Sequence, residues 1–326
     1  MRRREFITLV GGAAVLPLAA SALVGKVPTL GYLSDEGMGA HPFRSHGPVL
    51  DALRQLGYVD RQNIIIEYRY VDGQVERLPL LAAELAALPV DVIFAVGTPA
   101  AKAALGATQT IPIIFSRIGD PIAAGLVTSL ARPGGNASGV TVLASDLAGK
   151  RLQIIKDIVP ALTRVAVLHE PKFLPGQLEL KQLTAAAQLL NVQLNLVGVD
   201  SLQALEGASG AIMKISPQAL FVGSSGWFED NYQLPIDAAS KAHLPALYVR
   251  REYVEAGGLL AYGIPYREMY RTAAGYIDRV LKGTKPSELP VQNPVRTELV
   301  INRKTASALG LALPISLLST ADETIE

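Results

Sequence analysis

The sequence predicts an α/β protein built as two doubly wound, parallel-sheet lobes joined by a hinge that the chain crosses more than once. Three observations carry this. Short runs rich in β-branched and aromatic residues alternate with helix-forming stretches along the chain. The alternation is interrupted at Arg132-Pro-Gly-Gly-Asn136 and then restarts. At 326 residues, 49% of them apolar, the chain is long for one open sheet and comfortable for two.

In the first unit, Val27–Ser34 reads as a strand, Pro48–Leu56 as a helix closed by Gly57, and Ile64–Tyr70 as a strand running into an Asp72-Gly73 turn. A helix from Glu76 to Leu88 carries Pro79 in its first turn. Val90–Val96 is a buried strand that turns at Gly97 into a helix, with Thr98 suited to the N-cap and Pro99 to the first helical position. Ile111–Ser116 is a fourth strand. The pattern restarts with a strand through Val140–Leu143 and a helix over Asp146–Ile158. Arg164–His169, Val192–Val199, Ala219–Val222 and Ala246–Val249 then read as strands, separated by helices at Leu178–Leu190, Gln203–Lys214 and Asn231–Ala242. In the tail, Tyr266–Leu281 is a helix without a clear strand partner in the second unit, and Glu298–Ile301 is one more strand. A chain that crosses back to add that helix to the first unit and then returns would use both, and such crossings act as a hinge.

The first residues read as a sorting signal. Arg3-Arg4-Glu5-Phe6-Ile7 is a twin-arginine pattern, followed by a Gly/Ala/Leu-rich stretch and a small-residue site at Ala20-Ser21-Ala22. The other reading is an N-terminal anchor, for which the apolar run is short and broken by Gly and Pro. Cleavage after residue 22 removes three arginines and one glutamate and takes the formal charge from +1 to −1. A near-neutral mature chain has no electrostatic footprint for nucleic acid or membrane. The chain has no cysteine, which excludes disulfides, thiol catalysis and an N-terminal lipidated cysteine.

No dinucleotide, Walker or nucleophile-elbow motif is present, and the four histidines are scattered without metal-ligand spacing, so neither cofactor nor metal is expected. Ligands of open α/β sheets bind at the carboxyl ends of the strands. In the first unit those ends carry Ser34-Asp35, Gly97-Thr98 and Gly119-Asp120-Pro121; in the second, His169-Glu170, Ser224-Ser225-Gly226-Trp227 and Arg250-Arg251-Glu252. Anion donors, carboxylates and a large aromatic suit a zwitterion with an apolar side chain. Its carboxylate would go to the helix start at Gly97, Thr98, Pro99 and Ala100, and its ammonium to Asp120. Its side chain would lie against Trp227 and Tyr32, with Ser34, Glu170, Ser225 and Arg251 completing the cleft. Each has a simpler alternative: a capped α/β turn for Gly97–Ala101, a helix cap for Asp120, surface packing for Trp227, and an Arg251–Glu252 pair in solvent.

Taken together, Arg-Arg-Glu-Phe-Ile-Thr-Leu at 3–9, Gly31-Tyr-Leu-Ser34, Leu56-Gly-Tyr58, Ile66-Glu-Tyr-Arg69, Gly97-Thr-Pro-Ala100, Gly119-Asp-Pro121, Arg132-Pro-Gly-Gly-Asn136, Ala256-Gly-Gly258, Leu289-Pro-Val291 and Glu298-Leu-Val-Ile-Asn302 resemble ABC-transporter solute-binding proteins, in the group with tryptophan- and tyrosine-binding members. The resemblance implies a type I periplasmic-binding fold with three hinge crossings and a non-catalytic role delivering a solute to a membrane permease. It also implies ligand contact near Gly97–Ala100 and Asp120. On this reading residues 1–22 are signal, 23–142 plus 264–284 one lobe, and 143–263 plus 285–326 the other. The protein is expected in the periplasm as a monomer. A two-domain nucleotide-sugar transferase or epimerase using the same cleft is the alternative. A regulator with this sensor fold would need an N-terminal DNA-binding helix pair, which residues 1–26 are too short and apolar to supply.

Overall fold

The computed structural model describes residues 26–37, 45–71, 74–142, 147–293 and 296–326. The twin-arginine segment, His41, the Asp72-Gly73 turn and Leu143 lie outside them. Among the described residues no helix is long and apolar enough to cross a membrane.

The first sheet holds β1 (Thr29–Ser34), β2 (Ile65–Tyr70), β3 (Val92–Val96), β4 (Ile113–Ile118) and β5 (Ala137–Thr141), in the order β2-β1-β3-β4-β5 with every pair parallel. α1 (His46–Gln55), α2 (Leu78–Ala87) and α3 (Thr98–Ala107) connect the strands. Successive strand residues face opposite layers. Leu30, Val92, Phe94 and Ile114 therefore pack with Val49 and Leu53 of α1, while Leu33, Ile93 and Phe115 pack with Leu81, Leu85, Ala101 and Ala104 of α2 and α3. α3 begins one residue earlier than Thr98 suggests as a cap: Gly97, at φ +90°, takes the N-cap position, and Thr98 makes no side-chain cap bond. Only glycine adopts that backbone freely.

The second sheet is built from β6 (Arg164–His169), β7 (Gln193–Gly198), β8 (Ala219–Val222), β9 (Ala246–Tyr248), β10 (Leu260–Gly263), β11 (Glu298–Asn302) and β12 (Glu323–Ile325). Their order is β12-β11-β10-β9-β8-β6-β7, parallel throughout except between β10 and β11. α4 (Ala148–Ile158) and α5 (Leu174–Leu190) cover one face, where Leu152, Ile155 and Leu183 meet Val165, Val167 and Phe221. On the other face Leu168, Leu220 and Val222 meet Ile212 of α7 (Ala208–Ile215), Phe228 of α8 (Gly226–Asp230) and Ile236 of α9 (Gln233–Lys241). The helix expected over Gln203–Lys214 is interrupted at Gly207, leaving α6 (Leu202–Glu206) and α7. α10 (Arg251–Glu255), α12 (Arg303–Ala308) and α13 (Ile315–Thr320) are short.

Two features correct the simple restart. The strand expected at Val140–Leu143 is β5, which closes the first sheet instead of opening the second. α11 (Tyr266–Leu281) follows β10 in the chain yet packs on the first sheet, burying Met269, Tyr270, Ala273 and Ile277 against Leu30, Tyr32 and Ile114. The chain then stays with that sheet to Gln292. Leu289 and Val291 are buried in its two cores, and Gln292 donates to Gly139 O at 2.9 Å. Through Gln292 the chain is therefore still bonded to the first sheet.

An ion pair is buried where two crossings enter and leave the second lobe. Arg151, in the first turn of α4 and 2% exposed, pairs with Glu179 of α5 and donates from Nε to Tyr262 O of β10 at 2.6 Å. Glu179 also accepts the Ser224 N–H at 2.7 Å. Removing one member of such a pair leaves an uncompensated charge out of water. In urea unfolding, Arg151→Ala is expected to lose about 3–5 kcal/mol, and combining Arg151→Met with Glu179→Leu to recover most of it. A loss below about 1 kcal/mol for the single change would show the pair to be solvated.

Candidate functional site

Charged side chains of the two lobes meet at the carboxyl ends of their parallel strands. Arg117 of β4, in the left-handed region at φ 59°, donates from Nη1 to Glu36 just after β1, while its Nη2 lies 3.9 Å from Glu229 on α8. Arg250, following β9 and 3% exposed, places Nη1 3.3 Å from the same Glu229 oxygen and donates to both oxygens of Glu252, each at 3.1 Å. Its guanidinium lies 4.0 Å from the ring centre of Tyr266, the first residue of α11. At this point the lobes are therefore linked by an ionic contact, Arg117 to Glu229, and a cation–π contact, Arg250 to Tyr266.

Asp35 sits deeper on the first-lobe side. A Cβ added to Gly97 would fall 2.0 Å from Asp35 Oδ2, so the missing side chain is what makes room for this carboxylate beside the start of α3. The anion position expected for a ligand at Gly97–Ala101 is thus bordered by the protein's own carboxylate. Among the described residues Asp35 has no ion pair, and the hydrogen bond that acts on its carboxylate comes from its own backbone N–H. Burial pushes its carboxyl above the ordinary value of 3.8; Arg117 pulls it back and Glu229 pushes it up again. Burial also works against the charge of Arg117, but Tyr270, Asp35 and Glu229 outweigh it and hold the guanidinium above its usual range. For Glu252, burial raises the carboxyl and Arg250 more than reverses it, leaving it below the carboxylate range. The hydroxyl of Tyr270 is buried, has no hydrogen-bond partner among the described residues, and is raised by burial, with Arg117 and Arg250 acting to lower it. Ser116 Oγ, beside Arg117, is also buried and unbonded.

The residues expected from the sequence divide into four groups. Gly97 and Ala100 are buried, Thr98 half-buried and Pro99 exposed at the helix start. Ser34 accepts the Glu36 N–H at 3.0 Å, and Ser225 caps α8 while donating to Glu170 at 2.6 Å. Ser34, Glu170 and Ser225 therefore shape the loops that carry Glu36, Trp227 and Glu229. Trp227 is 41% exposed on α8. The remaining three are engaged elsewhere. Tyr32 is fully buried, bonded to Ser45 and packed against Phe94, Tyr68 and Tyr70. Asp120 is exposed, and its Oδ1 accepts the N–H groups of Ile122 and Ala123, both at 3.0 Å. Arg251 pairs with Glu255, Glu298 and Glu323. Sequence reading misses Glu36, Arg117, Glu229, Tyr266 and Tyr270. The visible signal was Ser116-Arg117 inside the apolar run Ile113–Ile118, a polar pair at a strand's carboxyl end.

Comparison with known proteins follows the same lines. The family described as ABC transporter substrate binding protein matches residues 40–325. The chain is 28% identical over 263 residues to the tyrosine-binding protein of Clostridioides difficile (strain R20291), covering 80% of this chain and 75% of that protein. Among solved structures, a conserved domain protein from Vibrio cholerae superposes with a TM-score of 0.79 at 26% identity, over 92% of this chain and 100% of that one. An ABC domain in complex with L-Trp from Streptococcus pneumonia gives a TM-score of 0.76 at 25% identity, over 91% and 100%.

A raised carboxyl carries a sign that can be measured. Its stabilising contribution is complete below the unfolded-state value of 3.8 and is lost as pH rises through the higher folded value. At neutral pH, then, ionised Asp35 costs stability, and Asp35→Asn should melt at or slightly above the parent in scanning calorimetry without ligand. A drop of more than about 4 °C would mean the carboxylate holds the loop together.

Proposed function

The chain belongs to the ABC transporter substrate-binding protein family, and on that premise we propose that it is the exported solute-binding component of an import system, closing its lobes on a small amino-acid-like or aromatic carboxylate solute. The observation that carries this reading is the meeting of Glu36, Arg117 and Tyr270 from one lobe with Glu229 and Arg250 from the other. Such a constellation is complete only when the lobes are together, so a solute bound among these groups favours the closed form. The tyrosine-binding relative and the L-Trp complex support an aromatic amino acid as the first class to test. The twin-arginine pattern at Arg3-Arg4 supports export of the folded chain, which then works as a monomer with a membrane permease. No observation favours the nucleotide-sugar alternative.

Native mass spectrometry of freshly purified protein, followed by calorimetric titration with L-tryptophan, L-tyrosine and L-phenylalanine, tests the reading. At least one is expected to bind with a dissociation constant of about 1 μM or below, about −8 kcal/mol. Turnover of a nucleotide sugar, or no binding of any aromatic amino acid at about 1 mM, would contradict it.

A further inference from the structure

We propose that Asp35 is the acceptor for a primary ammonium group and that ammonium, not carboxylate, is the group a solute must carry to be held here. The proposal rests on the solute-binding reading above. Four carboxylates, Asp35, Glu36, Glu229 and Glu252, share the cleft with two guanidiniums, Arg117 and Arg250. Exposed Arg267 acts on Glu252 from α11, but its own ion pair is with Glu255. Tyr32, Tyr266 and Tyr270 remain neutral, since burial raises all three hydroxyls. Among the described residues the cleft therefore carries an excess of negative charge.

Both cations are already committed. Arg117 is held between Glu36 and Glu229, and Arg250 between Glu229 and the two oxygens of Glu252. A solute carboxylate would have to displace a protein carboxylate from one of them and would add to the excess. An ammonium reduces it. Among the acids, Glu36, Glu229 and Glu252 all have a guanidinium partner, and Asp35 alone has none among the described residues. Its place is also specified by the chain: Gly97, at φ +90°, is the residue whose missing side chain leaves the carboxylate its space. Arg117 acts on Asp35 from a distance but forms no ion pair with it, and a largely buried carboxylate without a partner in contact is costly unless a cation arrives to offset it.

Two ligand series on the full mature chain separate the groups: L-tryptophan, tryptamine and indole-3-propionate, and L-tyrosine, tyramine and 3-(4-hydroxyphenyl)propionate, titrated by calorimetry at neutral pH. In the series that binds, the amine without a carboxylate should lie within about tenfold of the amino acid, and the acid without an amine about a hundredfold weaker or more. Asp35→Asn should weaken the amine by about thirtyfold with the melting temperature held. An acid that binds as tightly as its amino acid overturns the proposal and leaves the solute-binding reading standing, as does an Asp35→Asn protein with unchanged amine affinity. Should Asp35→Asn not fold, the comparison of amine with acid on the parent protein decides alone. If no member of either series binds, the aromatic reading of the site falls and this proposal with it.

Discussion

Arg117 answers to both lobes at once, and the arrangement of the cleft depends on it. Its guanidinium is held by Glu36 from its own lobe and by Glu229 from the other, while Glu229 is shared with Arg250. Without the cation, Asp35, Glu36 and Glu229 would face one another in a half-buried space, where like charges cost far more than in water. The left-handed backbone at Arg117 fits this role. For a residue with a long side chain that conformation costs about 1 kcal/mol or more and persists only where the surroundings over-determine it. Here the ion pair with Glu36 on one side and the pull of Glu229 on the other do so.

The second lobe presents its half of the cleft through groups anchored to a single buried pair. Arg151 holds Tyr262 O, and four residues later Tyr266 lies beneath the Arg250 guanidinium. Glu179 holds the Ser224 N–H, and the next residue, Ser225, caps the helix that carries Glu229. A buried ion pair is not an efficient source of stability compared with apolar packing. What it does here is fix two backbone points, one at a crossing into the first lobe and one at the edge of the cleft. A clamp that must bring charged groups into register over a small solute needs that precision on rigid elements.

How much of this could be read in the sequence follows from which properties are local. The parallel strands are short runs such as Val92–Val96 and Ile113–Ile118, buried on both faces, and their composition is visible without any partner. α11 is legible as well, because its apolar stripe is strongly helical in period, and its lack of a partner in the second unit anticipates its seat on the first sheet. β10 and β12, four and three residues long, are not legible, since their strand character comes from the neighbours they pair with. The site is harder still. Thr98, Asp120 and Arg251 have side chains suited to a ligand, yet Asp120 caps its own turn and Arg251 pairs with three carboxylates of its lobe. Glu36 follows a strand, Arg117 lies within one and Glu229 sits on a short helix, and nothing local to any of the three shows that they converge. Strand ends mark where a cleft forms; which charges converge there is a property of how the two lobes face each other.

Closure is the most directly measurable consequence. Trp227, the only tryptophan, is 41% exposed on the same short helix as Glu229. Small-angle scattering and acrylamide quenching should be recorded on one sample with and without a saturating aromatic amino acid. A solute held between Arg117, Asp35 and Glu229 must shrink the radius of gyration and protect Trp227 together. Saturable binding that leaves both unchanged would contradict the two-lobed clamp and place the solute on one lobe alone.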